Sequence, residues 1–400
     1  MAGYLVSYVR ERLGNRRNIG MVRKFVTALL WYPVLLLFLA TSRMLRRNSV
    51  VLIIRTDVLG DFAMFLRTSE ALQQLHPRDR RVLVVRPQLV DLALVSGVFD
   101  EVIPFDPDRY RKNLWYAATI AQKILAIRAT TSIYPAYSRT WIGDELTFLS
   151  GARICAAFVG DISNITGGLK RQNDRRYTKL VATPQTIVHD LDKLSLFWAA
   201  LGAALPNPPP HLRFDDADIA RRLSPDLVAG LPGPGYVVVA PGASWEGRTW
   251  PPEKWKELLV RLNRIHRETN IVMVGSRREE ISTNALIPNG MSNVTNLAGK
   301  TGVVDLTKVI ADARLLIGME SGPAQLAVAL GKPVVCLLGG GHFGRFFPYE
   351  AEQNVRAVYQ KMECYGCNWN CIYDTVRCIE EISVENVLRA TLDLLPKEDK

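Results

Sequence analysis

The sequence predicts an α/β protein built from two parallel sheets in tandem. Three observations predict it: short β-branched runs too continuously apolar for one-faced strands, amphipathic stretches of helical spacing between them, and a Pro- and Gly-rich interval that splits the pattern into two series. Four hundred residues, 48% of them hydrophobic and 22% charged, suit two domains of about 150–200 residues with extensions.

From the N-terminus, residues 1–48 stand apart. They carry nine Arg or Lys (Arg10, Arg12, Arg16, Arg17, Arg23, Lys24, Arg43, Arg46, Arg47) against one acid, Glu11, so +8 of the chain's formal +11 lies there and +3 remains for the other 352 residues. Basicity of this kind belongs to a terminus, not to a groove on a globular body, and nucleic acid is excluded as a partner. Between Lys24 and Arg43 the uncharged run Phe25 to Ser42, FVTALLWYPVLLLFLATS, is long enough to reach into a bilayer. Its mid-run Trp31, Tyr32 and Pro33 and its basic flanks on both sides predict a membrane-associated helical segment that dips in and returns on one anionic leaflet.

The first series follows: SVVLIIR (49–55), RVLVV (81–85), TTSIY (130–134) and ARICAAFV (152–159) read as buried strands, with helical spacing over 61–75 and 113–127. NPPP (207–210) and GLPGPG (230–235) frame a boundary. The second series comprises YVVVA (236–240), NIVMVG (270–275), NVTNLAG (293–299), RLLIG (314–318) and KPVVCLLG (332–339), with helices over 252–266, 304–312 and 322–330. The expected organisation is an attachment segment at 1–48, an N-terminal domain at 49–215, a C-terminal domain at 230–383 and a last helix with tail at 384–400. Two such domains are expected to face one another across a cleft at the C-terminal ends of their strands.

Three segments carry candidate chemistry. In RTDVLGDFAMFLRTSEAL (55–72) a glycine turn at Gly60 precedes Asp61, placed where a helix opens. Asp61 serves either as a helix cap or as a proton acceptor held ionised by the helix N-terminus, with Asp57 the competing candidate. In VVVAPGASWEGRTWPPEKW (237–255) the small residues Gly242 and Ser244 let backbone amides approach a phosphate, and Arg248 supplies a planar cation; the same run also reads as a plain strand–loop–helix with Pro at the helix start. In GMESGPAQLAVALGKPVVCLLG (318–339), Glu320 ends a strand and Ser321-Gly322 open a helix whose amides suit an anion, with Glu320 beside it to accept hydrogen bonds from hydroxyl groups.

Taken in order and spacing, these segments resemble the ADP-heptose:lipopolysaccharide heptosyltransferase family, glycosyltransferase family 9. The matching residues are Leu-Gly-Asp (59–61), Pro-Gly-Ala-Ser (241–244) with the basic-x-Trp at 248–250, Leu-Ala-Gly-Lys-Thr (297–301) and Ser-Gly-Pro (321–323). The likeness covers about residues 50–395. It implies a GT-B fold of two Rossmann-like domains and an inverting, metal-independent transfer of a sugar from a nucleotide diphosphate, ADP-heptose in the family, with no catalytic cofactor. The acceptor it implies is a lipopolysaccharide, envelope glycan or lipid-linked saccharide at the cytoplasmic face of a bacterial inner membrane. The family's catalytic carboxylate falls on Asp61, its phosphate-binding base on Arg248 and its acid on Glu320; Gly242, Ser244, Ser321, Gly322 and Gln325 complete the expected donor site. Relatives usually carry Asp, Lys and His where this chain has Glu320, Arg248 and Gln325.

Two further patterns call for a reading. Cys364-x2-Cys367-x3-Cys371-x6-Cys378 places four thiols at intervals that suit a structural zinc ion, with free thiols as the other reading in a reducing compartment. Gly339, Gly341 and Gly344 satisfy a dinucleotide fingerprint, but Pro348 follows and no helix is predicted to open, so an NAD-dependent oxidoreductase is the weaker alternative. A non-catalytic sugar-nucleotide or lipid-binding scaffold is the alternative of a different class.

Overall fold

The computed structural model describes residues 49–395; the expected attachment segment, including residues 25–42, lies outside them. The described chain divides into two compact units. One holds residues 49–57, 70–187 and 193–204; the other holds residues 58–69, 188–192 and 205–395.

The first unit contains a six-stranded sheet of β1 (Val50–Arg55), β2 (Arg80–Val85), β3 (Glu101–Pro104), β4 (Thr131–Tyr134), β5 (Ile154–Phe158) and β6 (Lys179–Val181), in the order β3-β2-β1-β4-β5-β6. Every pairing is parallel. Parallel strands are covered on both faces, which is why Val51, Leu52, Ile53 and Ile54 of the central strand are fully buried. The chain's first helices are α1 (Leu59–Arg67), α2 (Glu70–Leu75), α3 (Val90–Val95), α4 (Pro107–Lys112), α5 (Leu114–Ile127), α6 (Trp141–Leu149), α7 (Gly167–Asp174) and α8 (Asp190–Leu201). Their starts follow side-chain capping: Asp106 accepts from the amides of Asp108 and Arg109 at α4, and Asn113 from that of Tyr116 at α5. The helical pattern over 61–75 is two helices, not one. Thr68 and Ser69 donate their hydroxyls to Phe65 O (2.8 Å) and Leu66 O (2.6 Å), and so close the first helix.

The second unit repeats the plan with β7 (Val237–Ala240), β8 (Ile271–Met273), β9 (Val294–Asn296), β10 (Leu315–Met319), β11 (Val334–Leu338) and β12 (Val355–Tyr359), ordered β12-β11-β10-β7-β8-β9 and again wholly parallel. Its helices continue as α9 (Asp216–Ala220), α10 (Pro225–Gly230), α11 (Pro252–Ile265), α12 (Glu280–Ala285), α13 (Val303–Asp312), α14 (Gly322–Ala329), α15 (Arg377–Glu380) and α16 (Val384–Leu394). Trp255, Leu258, Leu259 and Leu262 of α11 recur at helical spacing and are buried with Val387 and Leu388 of α16 in one core. The indole of Trp250 donates to Ile382 O at 3.1 Å, so the ring is buried with its polar atom satisfied.

Among the described residues no helix is long and apolar enough to cross a membrane.

Candidate functional site

The helix bearing Asp61 groups with the second unit. It packs on α14 through two glycines: a methyl at Gly60 would meet Gln325 Cγ at 3.3 Å, and one at Gly322 would meet the Leu59 side chain at 3.1 Å. This close approach brings the N-terminal turns of both helices to one cavity of about 430 Å³. Asp61, Gly242, Ser244, Arg248, Glu320, Ser321, Gly322 and Gln325 all line it. Asp57, the competing candidate, lies outside the lining and pairs with Arg55 at 3.1 Å.

Asp61 is the third residue of α1 and half-buried. The helix's N-cap is Val58, which offers no capping side chain, so the carboxylate stands in the first turn against the positive helix end. α14 likewise starts without a side-chain cap: Ser321 occupies the N-cap in extended conformation and makes no capping bond. The Ser321 hydroxyl and Glu320 Oε1 are both buried with no hydrogen-bond partner among the described residues. Buried polar atoms are nearly always satisfied, so two orphans on one cavity wall mark a place where a polar ligand completes the bonding.

Arg248 holds the opposite sign. Its Nη2 donates to Glu320 O at 3.0 Å and its Nη1 to Ser244 Oγ at 3.3 Å, while Nη2 lies 3.7 Å from Glu320 Oε1, too far for a hydrogen bond. Burial pushes the Glu320 carboxyl up to about 7, an effect that Arg248 and Arg345 only partly oppose. Near neutral pH this carboxyl is therefore partly protonated and able to donate as well as accept.

Gln325 contributes wall. Its amide nitrogen donates to Phe346 O at 2.9 Å, and its carbonyl accepts from the Tyr349 hydroxyl at 2.5 Å. Glu279 is a lining residue that the sequence reading missed. Its Oε2 accepts from the Ser276 amide at 2.6 Å in a capping box, and a side chain at Gly242 would collide with its carboxylate. The Ser-x-x-Glu spacing at 276–279 was the available signal. Val274, Val303 and Leu306 add apolar surface to the lining.

All four C-terminal thiols are free, Cys378 buried and the other three half-buried. The Cys378 sulfur accepts the Gly340 amide at 3.3 Å, and Cys371 hydrogen-bonds Cys367. Among the described residues no group of three or more His, Cys, Asp or Glu side chains is placed to hold a metal ion. The fold thus presents, among the described residues, no ligand cluster for the zinc expected at Cys364, Cys367, Cys371 and Cys378.

A solved structure of Escherichia coli heptosyltransferase WaaC with ADP-2-deoxy-2-fluoro heptose superposes with a TM-score of 0.60 at 20% identity, covering 86% of this chain and 99% of that one. The fold is thus shared with that enzyme. Residues 146–371 match the family described as glycosyltransferase family 9 (heptosyltransferase), and the chain belongs to that family. Among curated relatives, lipopolysaccharide heptosyltransferase 1 of Pseudomonas aeruginosa is 24% identical over 72% of this chain and 78% of its own length. Lipopolysaccharide heptosyltransferase 3 of E. coli K12 is 30% identical over 41% of this chain, a match that spans about half (47%) of that relative.

Proposed function

We propose that this chain is an inverting, metal-independent glycosyltransferase that moves heptose or a related sugar from a nucleotide diphosphate, ADP-heptose by family, to a lipopolysaccharide or lipid-linked acceptor. The observation that carries this reading is a single cavity lined by a carboxylate at one helix start, a guanidinium, and two orphaned polar atoms at a second helix start. Asp61 takes the proton of the acceptor hydroxyl as its oxygen attacks the anomeric carbon from the face opposite the leaving diphosphate. Arg248, the Ser321 hydroxyl and the amides at the start of α14 hold the diphosphate and stabilise the charge that grows on it. Glu320, held partly neutral by burial, donates to the ligand without adding full repulsion to its negative charge. The carboxylate of Glu279 faces the backbone at Gly242 and accepts from ribose hydroxyls, with the base against Val303 and Leu306.

On this reading the enzyme works at the cytoplasmic face of the inner membrane, attached through residues 25–42. Support for the attachment comes from the basic flanks and apolar run of that segment alone.

The test is transfer itself. Purified protein with ADP-heptose and a heptose-free lipopolysaccharide core should release ADP and add one heptose mass to the acceptor, with turnover unchanged by EDTA. Nucleotide binding without acceptor-dependent ADP release would leave a sugar-nucleotide-binding scaffold instead.

A further inference from the structure

The glycines at 339–341 serve packing and not a dinucleotide. A side chain at Gly340 would run into the Tyr365 ring, and one at Gly339 or Gly341 into the Trp369 indole. Residues 340–346 form turns, and no helix opens after them. Over this bare backbone lies the cysteine-bearing segment, held as a strap. The Gly366 amide donates to Gly340 O at 2.9 Å and the Asn368 amide to Gly341 O at 3.0 Å. His342 Nε2 pairs with Asn368 Oδ1 at 2.6 Å, and Trp369 Nε1 contacts His342 Nδ1 at 3.3 Å.

Two non-glycine residues of the strap, Asn368 (φ 51°) and Trp369 (φ 63°), adopt the left-handed conformation. For a bulky residue such as tryptophan this conformation is strained, and strain of this kind persists where the surroundings over-determine the geometry. Here it aims the indole at Arg248. The guanidinium carbon sits 4.8 Å from the Trp369 ring centroid, and Trp245, two residues after Ala243 in the Gly242–Ser244 loop, meets the same ring edge-on at 6.3 Å. Arg248 is thereby gripped on three sides: by Glu320 O, by Ser244 Oγ and by the indole face.

We infer that Trp369 is a positioning residue of the donor site, which fixes the plane of the Arg248 guanidinium so that both its terminal nitrogens face a nucleoside diphosphate. This rests on the reading of Arg248 as the diphosphate-binding cation. Without the indole, the guanidinium keeps only its hydrogen bonds to Glu320 O and Ser244 Oγ, its plane is held less tightly, and part of the binding energy is then spent on ordering it. The relation is specific to Arg, because a lysine ammonium presents no plane to stack; Arg and Trp are in that sense one device.

The experiment is a calorimetric titration of ADP and of adenosine into the full-length protein and its variants, each checked for an unchanged thermal midpoint. Trp369→Leu, which keeps apolar volume and loses the aromatic face, should weaken ADP about fivefold and leave adenosine unmoved; Trp369→Phe should stay within about twofold. In an Arg248→Ala background, Trp369→Leu should add no further loss, and Arg248→Lys should weaken ADP in the wild type more than in Trp369→Leu. Should the Leu variant unfold, Trp369→Met takes its place. Equal weakening by Trp369→Leu with and without Arg248, or a parallel loss of adenosine, would reduce Trp369 to general scaffolding and overturn the inference. ADP affinity untouched by Arg248→Ala would instead defeat the reading of Arg248, a separate result.

Discussion

Two buried carboxyl groups in this protein show how structure and site differ. Asp144, in the first unit, is fully buried and accepts from Arg139 Nη1 (3.3 Å), the Tyr177 hydroxyl (2.6 Å) and Asn173 Nδ2 (2.9 Å). Glu320, in the second unit, is 7% exposed, lies 3.7 Å from its guanidinium and, among the described residues, leaves Oε1 without a hydrogen-bond partner. Burial raises both above the ordinary carboxylate range, but at Asp144 three protein groups answer it from within. A buried charge whose partners are all in the protein holds the fold; one that faces a cavity with an atom unsatisfied awaits a ligand.

The contrast can be broken by substitution. The largest effect belongs to Asp61, where Asp61→Asn should cut turnover by about 10²–10⁴-fold, the usual contribution of a general base, with ADP affinity within a few-fold of wild type by calorimetry. Turnover near wild type would remove the carboxylate from the chemistry. Next comes Asp144→Ala, which leaves Arg139 buried with, among the described residues, only Asp174 as an ionic partner. It should cost about 3 kcal/mol in urea unfolding and leave ADP affinity intact; a loss of affinity with no loss of stability would invert the comparison. Arg248→Ala should raise the ADP dissociation constant by about 10–100-fold, in the range of a charge-assisted bond of about 1.5–3 kcal/mol, and Arg248→Lys by less.

The smallest effect sharpens the comparison through pH. Glu320 titrates near 4.5 when unfolded and about 7 when folded, so the native state keeps a proton that the unfolded chain releases. Its penalty is absent below pH 4.5, grows as pH rises, and is complete above about 7. Glu320→Gln should therefore match wild-type stability near pH 4.5 and exceed it at pH 8 by about 1–2 kcal/mol, a shift discounted for the water that the cavity admits. A constant difference across pH 4.5–8 would show that Glu320 titrates normally.

Much of the architecture was readable from residue order. The runs VVLIIR, VVVA and VVCLL became central strands because only a strand covered on both faces tolerates so continuous an apolar run. The strands that went unread, β3, β6 and β12, lie at sheet edges, where neighbours are present on one side only and Glu101, Lys179 and Tyr359 remain exposed. Their pattern is diluted for that reason. The candidate site was legible to a similar degree: Asp61 and Ser321 stand at helix starts, Glu320 directly after a strand, and Arg248 in the loop between β7 and α11, positions that local spacing specifies.

Sequence by itself determined the alternation of strand and helix, the small residues that leave amides open to an anion, and the family to which those spacings belong. Only the tertiary structure decided which groups meet. Gly60 against Gln325 drew α1 to the second unit, the glycines at 339–341 made room for the rings of Tyr365 and Trp369, and the Cys378 sulfur met the amide of Gly340. These outcomes depend on contacts between residues up to hundreds of positions apart. Spacing along a chain encodes its local conformation, and close packing selects which distant side chains share a wall.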